Sequence, residues 1–257
     1  MTWKEAEEGQ RRRRTKGAPD YDRAEYWDAK YANEGTAAHA HVEWLGSGAV
    51  MAAKLFAHLH ACCSQRTVLH IGPGTSGLVE RIEGEYGRRA WPIDCIVNVD
   101  FSIEAVCRGQ VQNTGSQWVQ ADLRDWTSVQ TSLLPLVERH GPFDAIVDKS
   151  TSDSISTSGP CPSSCHLIDE LEQQQGREMD PVDVLACHLA ALTRPGARWF
   201  VQSYSSTRFD QEGGKAGSGT TRPPPHWTVL ERQPIEAPHE GPGAPPVYHW
   251  LYTLERC

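Results

Sequence analysis

Residues 67–77 read Thr67-Val68-Leu69-His70-Ile71-Gly72-Pro73-Gly74-Thr75-Ser76-Gly77. A short apolar run closed by glycine predicts a buried strand. Gly72, Gly74 and Gly77 then fit the spacing G-x-G-x-x-G, and LVERIEGEYG behind them reads as a helix. Strand, glycine turn and helix in that order predict a βα unit. Its glycines allow a tight turn and let a ligand come close to the backbone.

The same alternation continues downstream. CIVNVD (95–100) is a second strand, followed by the helix SIEAVCRGQVQ with Ser102 placed as its N-cap. QWVQAD (117–122) is the third strand, and SVQTSLLPLVERHG (128–141) is a helical connection broken by Pro135. FDAIVD (143–148) is the fourth. The helix DPVDVLACHLAALTRPG stops before Pro195 and Gly196, and ARWFVQSYS (197–205) is the fifth strand. Upstream, residues 21–31 predict a short aromatic helix. A second helix starts after Gly48, with Leu45, Val50, Leu55 and Leu59 near helical spacing. Alternating strands and helices imply a parallel, doubly wound sheet. At the end HWTVLERQPIE and VYHWLYTLER are separated only by the turn-rich APHEGPGAPP, so they should pair antiparallel. The expected fold is α/β: a Rossmann-like, doubly wound, mostly parallel seven-stranded sheet with a C-terminal antiparallel hairpin. Residues 1–19 are expected to form a loose polar tail and 20–257 a single domain. Residues 150–180 and 210–225 carry no clear element, and such loops are commonly lids or binding loops.

Composition narrows the function classes. The chain has 257 residues, 39% hydrophobic and 23% charged, with a formal net charge of −8. That balance argues against a general nucleic-acid binder. Arg11 to Arg14 with Lys16 form one basic run, suited to a solvated tail or a nuclear import signal. No apolar run approaches the ~20 residues that span a bilayer, and MTWKEAEEGQRRRR has no apolar core of a signal peptide. A cytoplasmic protein is expected, with the nucleus open, as a monomer or weak homodimer. The eight cysteines are expected to be reduced thiols. Cys161, Cys165 and His166, then Cys187-His188, lack the second half-site of a zinc centre, so no metal is expected.

The strand ends carry the chemistry. Asp100 ends strand two, where a carboxylate can accept both ribose hydroxyls of a nucleoside. Phe101 could lie against an adenine ring. Asp122 ends strand three and can accept from an adenine amino group, while the Leu123 N–H meets a ring nitrogen. Asp148 ends strand four, beside the expected position of a methyl donor's sulfonium. Lys149 next to it faces solvent or pairs with a carboxylate. Nicotinamide enzymes share the glycine spacing and the first acid, but they would be expected to continue with further βα units.

VLHIGPGTSGL, VNVDFS, ADLRDW and FDAIVDKSTSDSI together resemble class I methyltransferases. Within these the chain is most similar to the seven-β-strand lysine methyltransferases that act on translation elongation factor 1-alpha and citrate synthase. The likeness includes Tyr26-Trp27, Tyr31 and Trp44 near the N-terminus, the segment Asp148-Lys149-Ser150-Thr151-Ser152-Asp153, and the closing YHWLYTLER. It implies S-adenosyl-L-methionine as cofactor and a lysine amine of a protein as acceptor. The implied cofactor set is Tyr26, Trp27, Gly72, Gly74, Thr75, Asp100, Phe101, Ser102, Asp122, Leu123 and Asp148, with Asp148 and Asp153 as catalytic candidates. Tyr26, Trp27 and Trp44 would wall an aromatic site for an alkylammonium, and the 157–181 loop would be its lid. The chain departs from the pattern at Ser150, where the relatives have glycine, and at His70, where an acidic residue is usual. That acid's contact to the donor's amino group would be missing. A small-molecule methyltransferase acting on an amine, hydroxyl or thiol has the same cofactor motifs. A silent interaction protein of the same fold would not need them intact. An Asn/Asp-Pro-Pro-aromatic tetrad for nucleobase chemistry is absent.

Overall fold

A computed structural model describes residues 19–34, 43–62, 65–112, 115–162, 178–212, 221–222, 224–237 and 246–257. The basic run at 11–16, Cys165, His166 and most of the expected lid lie outside the described residues. Seven strands form one sheet: β1 (Val68–Ile71), β2 (Ile96–Asp100), β3 (Gln117–Gln120), β4 (Phe143–Lys149), β5 (Thr193–Ser203), β6 (Trp227–Glu236) and β7 (Tyr248–Arg256). The order across the sheet is β6-β7-β5-β4-β1-β2-β3. Neighbours from β3 to β5 pair parallel. β7 runs antiparallel to both β5 and β6, between which it is inserted. This is the expected sheet with its C-terminal hairpin.

All residues of β1, β2 and β4 are buried, because helices cover both faces of a parallel sheet. The helices are α1 (Ala24–Asn33), α2 (Ala49–Ala61), α3 (Leu78–Arg88), α4 (Ile103–Gln112), α5 (Trp126–Ser132), α6 (Leu134–His140), α7 (Thr151–Ile155) and α8 (Pro181–Leu192). Alternate strand residues serve opposite cores. Leu69, Ile71, Val99, Ile146 and Val201 pack with Leu185 and Leu189 of α8. Val68, Ile96, Ala145, Val147 and Phe200 pack with Leu55, Leu59, Leu78 and Ile82 of α2 and α3. Each such aliphatic side chain contributes about 1.5–3 kcal/mol by leaving water.

Four local expectations need correction. The N-terminal helix starts at Ala24, not at residue 21. Leu45 precedes α2 in a left-handed turn (φ 60) and is buried, whereas Val50 inside α2 is 41% exposed. The strand after α8 begins at Thr193 rather than Ala197. Thr193 pairs with Phe143 and Arg198 with Ala145, so Pro195-Gly196 bulges out of a strand instead of preceding it. Finally, 150–180 is not featureless. It contains α7 and a two-residue ladder of Cys161–Pro162 with Glu178–Met179. Pro135 sits in the first turn of α6, where its missing N–H costs nothing.

The candidate cofactor and acceptor site

Strand order reverses between β1 and β4, and ligands of open α/β sheets bind beyond the carboxyl ends of strands at such a point. A cavity of about 400 Å³ lies there. Its floor is the turn after β1. Gly72 and Gly74 both hold φ +54, a conformation glycine adopts without steric cost. A Cβ on Gly72 would strike the Thr151 hydroxyl, and one on Gly74 the Tyr31 hydroxyl.

The ends of β2 and β3 form one side. Asp100 is buried; its Oδ2 accepts from the Gly74 N–H (3.0 Å) and its Oδ1 from the Ser102 N–H (2.9 Å). Burial lifts its carboxyl to about 6, against the pull of those two amides. Asp122 is gripped by Arg124, whose Nε donates to Oδ1 (3.0 Å) and whose Nη2 donates to Oδ2 (2.8 Å). Burial opposes ionisation of Asp122, but the guanidinium outweighs it and holds the carboxyl below its ordinary value. Arg124 also stands 6.0 Å over the Phe101 ring. Behind this edge the buried His188 ring faces the Leu123 carbonyl through Nδ1 at 2.7 Å and stacks on Trp126.

The N-terminal segment forms a further wall. Asp28 of α1 accepts from Ser102 Oγ (2.6 Å) and from the Glu104 N–H (3.3 Å), so it helps cap α4. Arg108 of α4 returns the contact to the Tyr31 and Glu34 carbonyls. These bonds bring Tyr21, Trp27, Tyr31 and Trp44 onto the cavity. The Trp27 ring lies 5.9 Å from Tyr21, 5.7 Å from Tyr31 and 5.8 Å from Trp44.

Beyond β4, Ser150 holds φ 71. The residue that replaces the expected glycine keeps a glycine-like backbone, at a cost of about 1–2 kcal/mol. Its hydroxyl donates to Asp153 Oδ2 (3.1 Å), which also accepts from the Tyr204 N–H (2.9 Å). Asp153 Oδ1 accepts from Ser203 Oγ (2.5 Å) and from Arg208. Asp148 is fully buried, and its Oδ1 caps α7 by accepting from the Thr151 and Ser152 N–H groups (2.8 and 3.2 Å). Burial raises it to about 7.

Of the residues singled out from sequence, Trp27, Trp44, Gly72, Gly74, Thr75, Asp100, Phe101, Asp122, Leu123 and Asp153 line one cavity. Tyr26, Ser102 and Asp148 do not. Tyr26 packs edge-on against Tyr21 and Trp27. Ser102 is buried as the cap of α4, accepting from the Ala105 N–H (3.2 Å). Asp148 turns into α7. Sequence reasoning did not single out Tyr21, Arg124 or Tyr204, which also line the cavity. Tyr204 follows directly on the end of β5 as a half-exposed aromatic, and Arg124 stands two residues after Asp122; those two positions were the available signals. No group of His, Cys, Asp and Glu among the described residues has metal-site geometry. No helix among them is long and apolar enough to cross a membrane.

No protein-family model matches the chain, and no curated protein matches it in sequence. Solved structures do match in shape. An S-adenosylmethionine-dependent methyltransferase from Anabaena variabilis superposes with TM-score 0.53 at 11% identity, over 93% of this chain and 95% of that one. The N-methyltransferase NodS of Bradyrhizobium japonicum, in complex with S-adenosylhomocysteine, gives 0.51 at 9% identity over 90% and 98%. A protein described for converting a disulfide bond into a thioacetal group during echinomycin biosynthesis gives 0.50 at 18% identity over 91% and 93%. In fold, the chain is a Rossmann-like α/β protein similar to these three structures, two of which are described as methyltransferases.

Proposed function

We propose that the chain is an S-adenosylmethionine-dependent methyltransferase. The observation that carries this reading is the convergence of a glycine turn with two left-handed glycines, Asp100 and Asp122 on one rim, at the ends of three adjacent strands. The residues fit the cofactor. Asp100 would accept the ribose hydroxyls, Asp122 and the Leu123 N–H would meet the adenine edge, and Phe101 would lie along the ring. When bound, the cofactor supplies an electrophilic methyl group on a sulfonium. The chain's own work is then positioning and exclusion of water.

For the acceptor we favour an amine, and a protein lysine as the sequence resemblance implies. The aromatic wall of Tyr21, Trp27 and Trp44 suits an alkylammonium. An ammonium must lose its proton before it can attack. Asp153 has its oxygens occupied by Arg208, two hydroxyls and an amide, and Asp148 caps α7. Asp153 is committed to those partners; Asp148 keeps a buried Oδ2 without a hydrogen-bond partner but does not line the cavity, so desolvation is left to favour the neutral amine. A small-molecule amine, hydroxyl or thiol is the second reading; the neighbour NodS is described as an N-methyltransferase, in keeping with an amine.

The test is incubation with methyl-labelled S-adenosylmethionine and a cell extract, read by mass spectrometry. Label on protein lysine supports the first acceptor, and label on a small amine supports the second. A chain that binds no S-adenosylmethionine in calorimetry, or binds a nicotinamide dinucleotide instead, overturns the activity.

A further inference from the structure

The cations of the cavity wall are unequally committed. Among the described lining residues, the lysine and arginine side chains are Arg124 and Lys149. Arg124 has both Nε and Nη2 forked onto Asp122. Lys149 Nζ donates to Glu43 Oε2 (2.5 Å) and to the Gly46 carbonyl (3.0 Å). An ammonium carries three hydrogens, so one remains. The Lys149 side chain is only 4% exposed, and a charge so withdrawn from water gains most from a partner. Glu43 is itself held by the Gly77 N–H (2.9 Å) and by Ser76 Oγ, which fixes the Lys149 counter-charge to the glycine turn.

His70 lines the same cavity close to this pair. Its Nδ1 faces Asn98 Oδ1 (3.2 Å), and burial together with Lys149 keeps the ring uncharged, with its pKa pushed down to about 3. His70 therefore offers a ligand neither a negative nor a positive charge. Lys149 ends β4, Asp100 ends β2 and Asp122 follows β3, with β1 between β4 and β2. At about 4.8 Å per strand, Lys149 lies on the order of 10–14 Å across the sheet from the two acids. That span suits a ligand with a nucleoside at one end and a charged group at the other.

We propose that Lys149 binds the carboxylate of the donor's amino-acid end. The inference rests on the cofactor reading above, since S-adenosylmethionine joins a nucleoside to a zwitterionic amino acid. Lys149 also ties the 43–46 segment, which carries Trp44, to the sheet. A strut of that kind is the competing explanation, and the experiment separates the two.

Calorimetry would compare S-adenosylhomocysteine with 5′-methylthioadenosine, which keeps the nucleoside and lacks the amino acid. Lys149→Met is expected to weaken S-adenosylhomocysteine about 10- to 100-fold, the range for a hydrogen bond to a charged group. Methylthioadenosine binding should stay within about twofold, and Lys149→Arg should recover part of the loss. Glu43→Gln breaks the strut but leaves the ammonium, so it should keep the wild-type preference between the two ligands or increase it. Equal losses for both ligands in Lys149→Met, or a collapsed preference in Glu43→Gln, would assign Lys149 to structure and overturn the proposal. An unchanged S-adenosylhomocysteine affinity in Lys149→Met would do the same while leaving the cofactor reading intact. A wild-type chain that binds neither ligand removes both.

Discussion

Asp153 Oδ1 and Arg208 Nη2 stand 2.7 Å apart, with side chains 11% and 17% exposed. Through Ser150, Ser203 and Tyr204 the same carboxylate joins the start of α7 to the end of β5. Asp153→Ala would leave a largely buried guanidinium without its partner, and such losses cost about 3 kcal/mol or more. We expect urea unfolding to register that loss, with Arg208→Gln destabilising in the same direction. A change below about 1 kcal/mol, typical of surface pairs, would return Asp153 to the list of acceptor-side catalytic candidates.

Asp100 sets a pH limit on cofactor binding. Its carboxyl sits at about 6 because burial disfavours the charge. Only the ionised form can accept from two hydroxyls. Affinity for S-adenosylhomocysteine should therefore be flat above pH 6 and fall by up to about tenfold per unit below it. Asp122 adds nothing in that window, since Arg124 holds it ionised to lower pH. Asp100→Asn should flatten the profile and weaken binding more than Asp122→Asn, because Asp100 also anchors the Gly74 and Ser102 amides. A wild-type profile without a break near pH 6 would contradict this assignment.

Gly74 and Tyr31 should be energetically coupled. A Cβ at Gly74 meets the Tyr31 hydroxyl and would also have to accept φ +54. Gly74→Ala is expected to destabilise the chain by about 1–3 kcal/mol through backbone strain and the clash. Tyr31→Phe removes the oxygen that is struck, so the double variant should recover at least about 0.5 kcal/mol over the sum of the singles. Strict additivity in thermal unfolding would mean that the two residues do not touch.

The glycine turn, Asp100 and Asp122 were legible because each stands at a strand's last residue or within two residues after it, where local pattern and position coincide. Side-chain direction was not. Asp148 follows the same rule as Asp100, yet its carboxylate turns to cap α7, a five-residue helix too short to show periodicity. Ser102 was rightly placed as a helix cap, and that role withdraws it from the cavity. The wall built by Tyr21 and Tyr31 depends on Asp28 meeting Ser102 and on Arg108 meeting the end of α1, contacts more than 70 residues apart in sequence. Pro195-Gly196 reads as a break before the strand because both residues are ordinary strand breakers, and only the pairing of the flanking Thr193 and Arg198 with β4 keeps them in the sheet.

Asp148 gives the fold a pH dependence of its own. Burial holds its carboxyl at about 7, against 3.8 for an unperturbed aspartate. Between those values the folded chain keeps a proton that the unfolded chain has released. The resulting contribution to stability is complete below the unfolded value and is lost as pH rises through about 7. Asp100 acts in the same direction over a narrower range, whereas His70 and His188, kept neutral by burial, favour the folded state as pH rises. The wild-type curve alone therefore mixes opposite slopes, and the informative quantity is its difference from Asp148→Asn. The asparagine keeps an Oδ1 for the Thr151 and Ser152 amides and cannot titrate. Wild type should lose on the order of 2 kcal/mol relative to the variant between pH 5 and 7.5, measured by urea unfolding at each pH. A difference that stays constant over that interval would mean that Asp148 is ionised throughout, with its buried charge compensated by a partner other than the α7 amides.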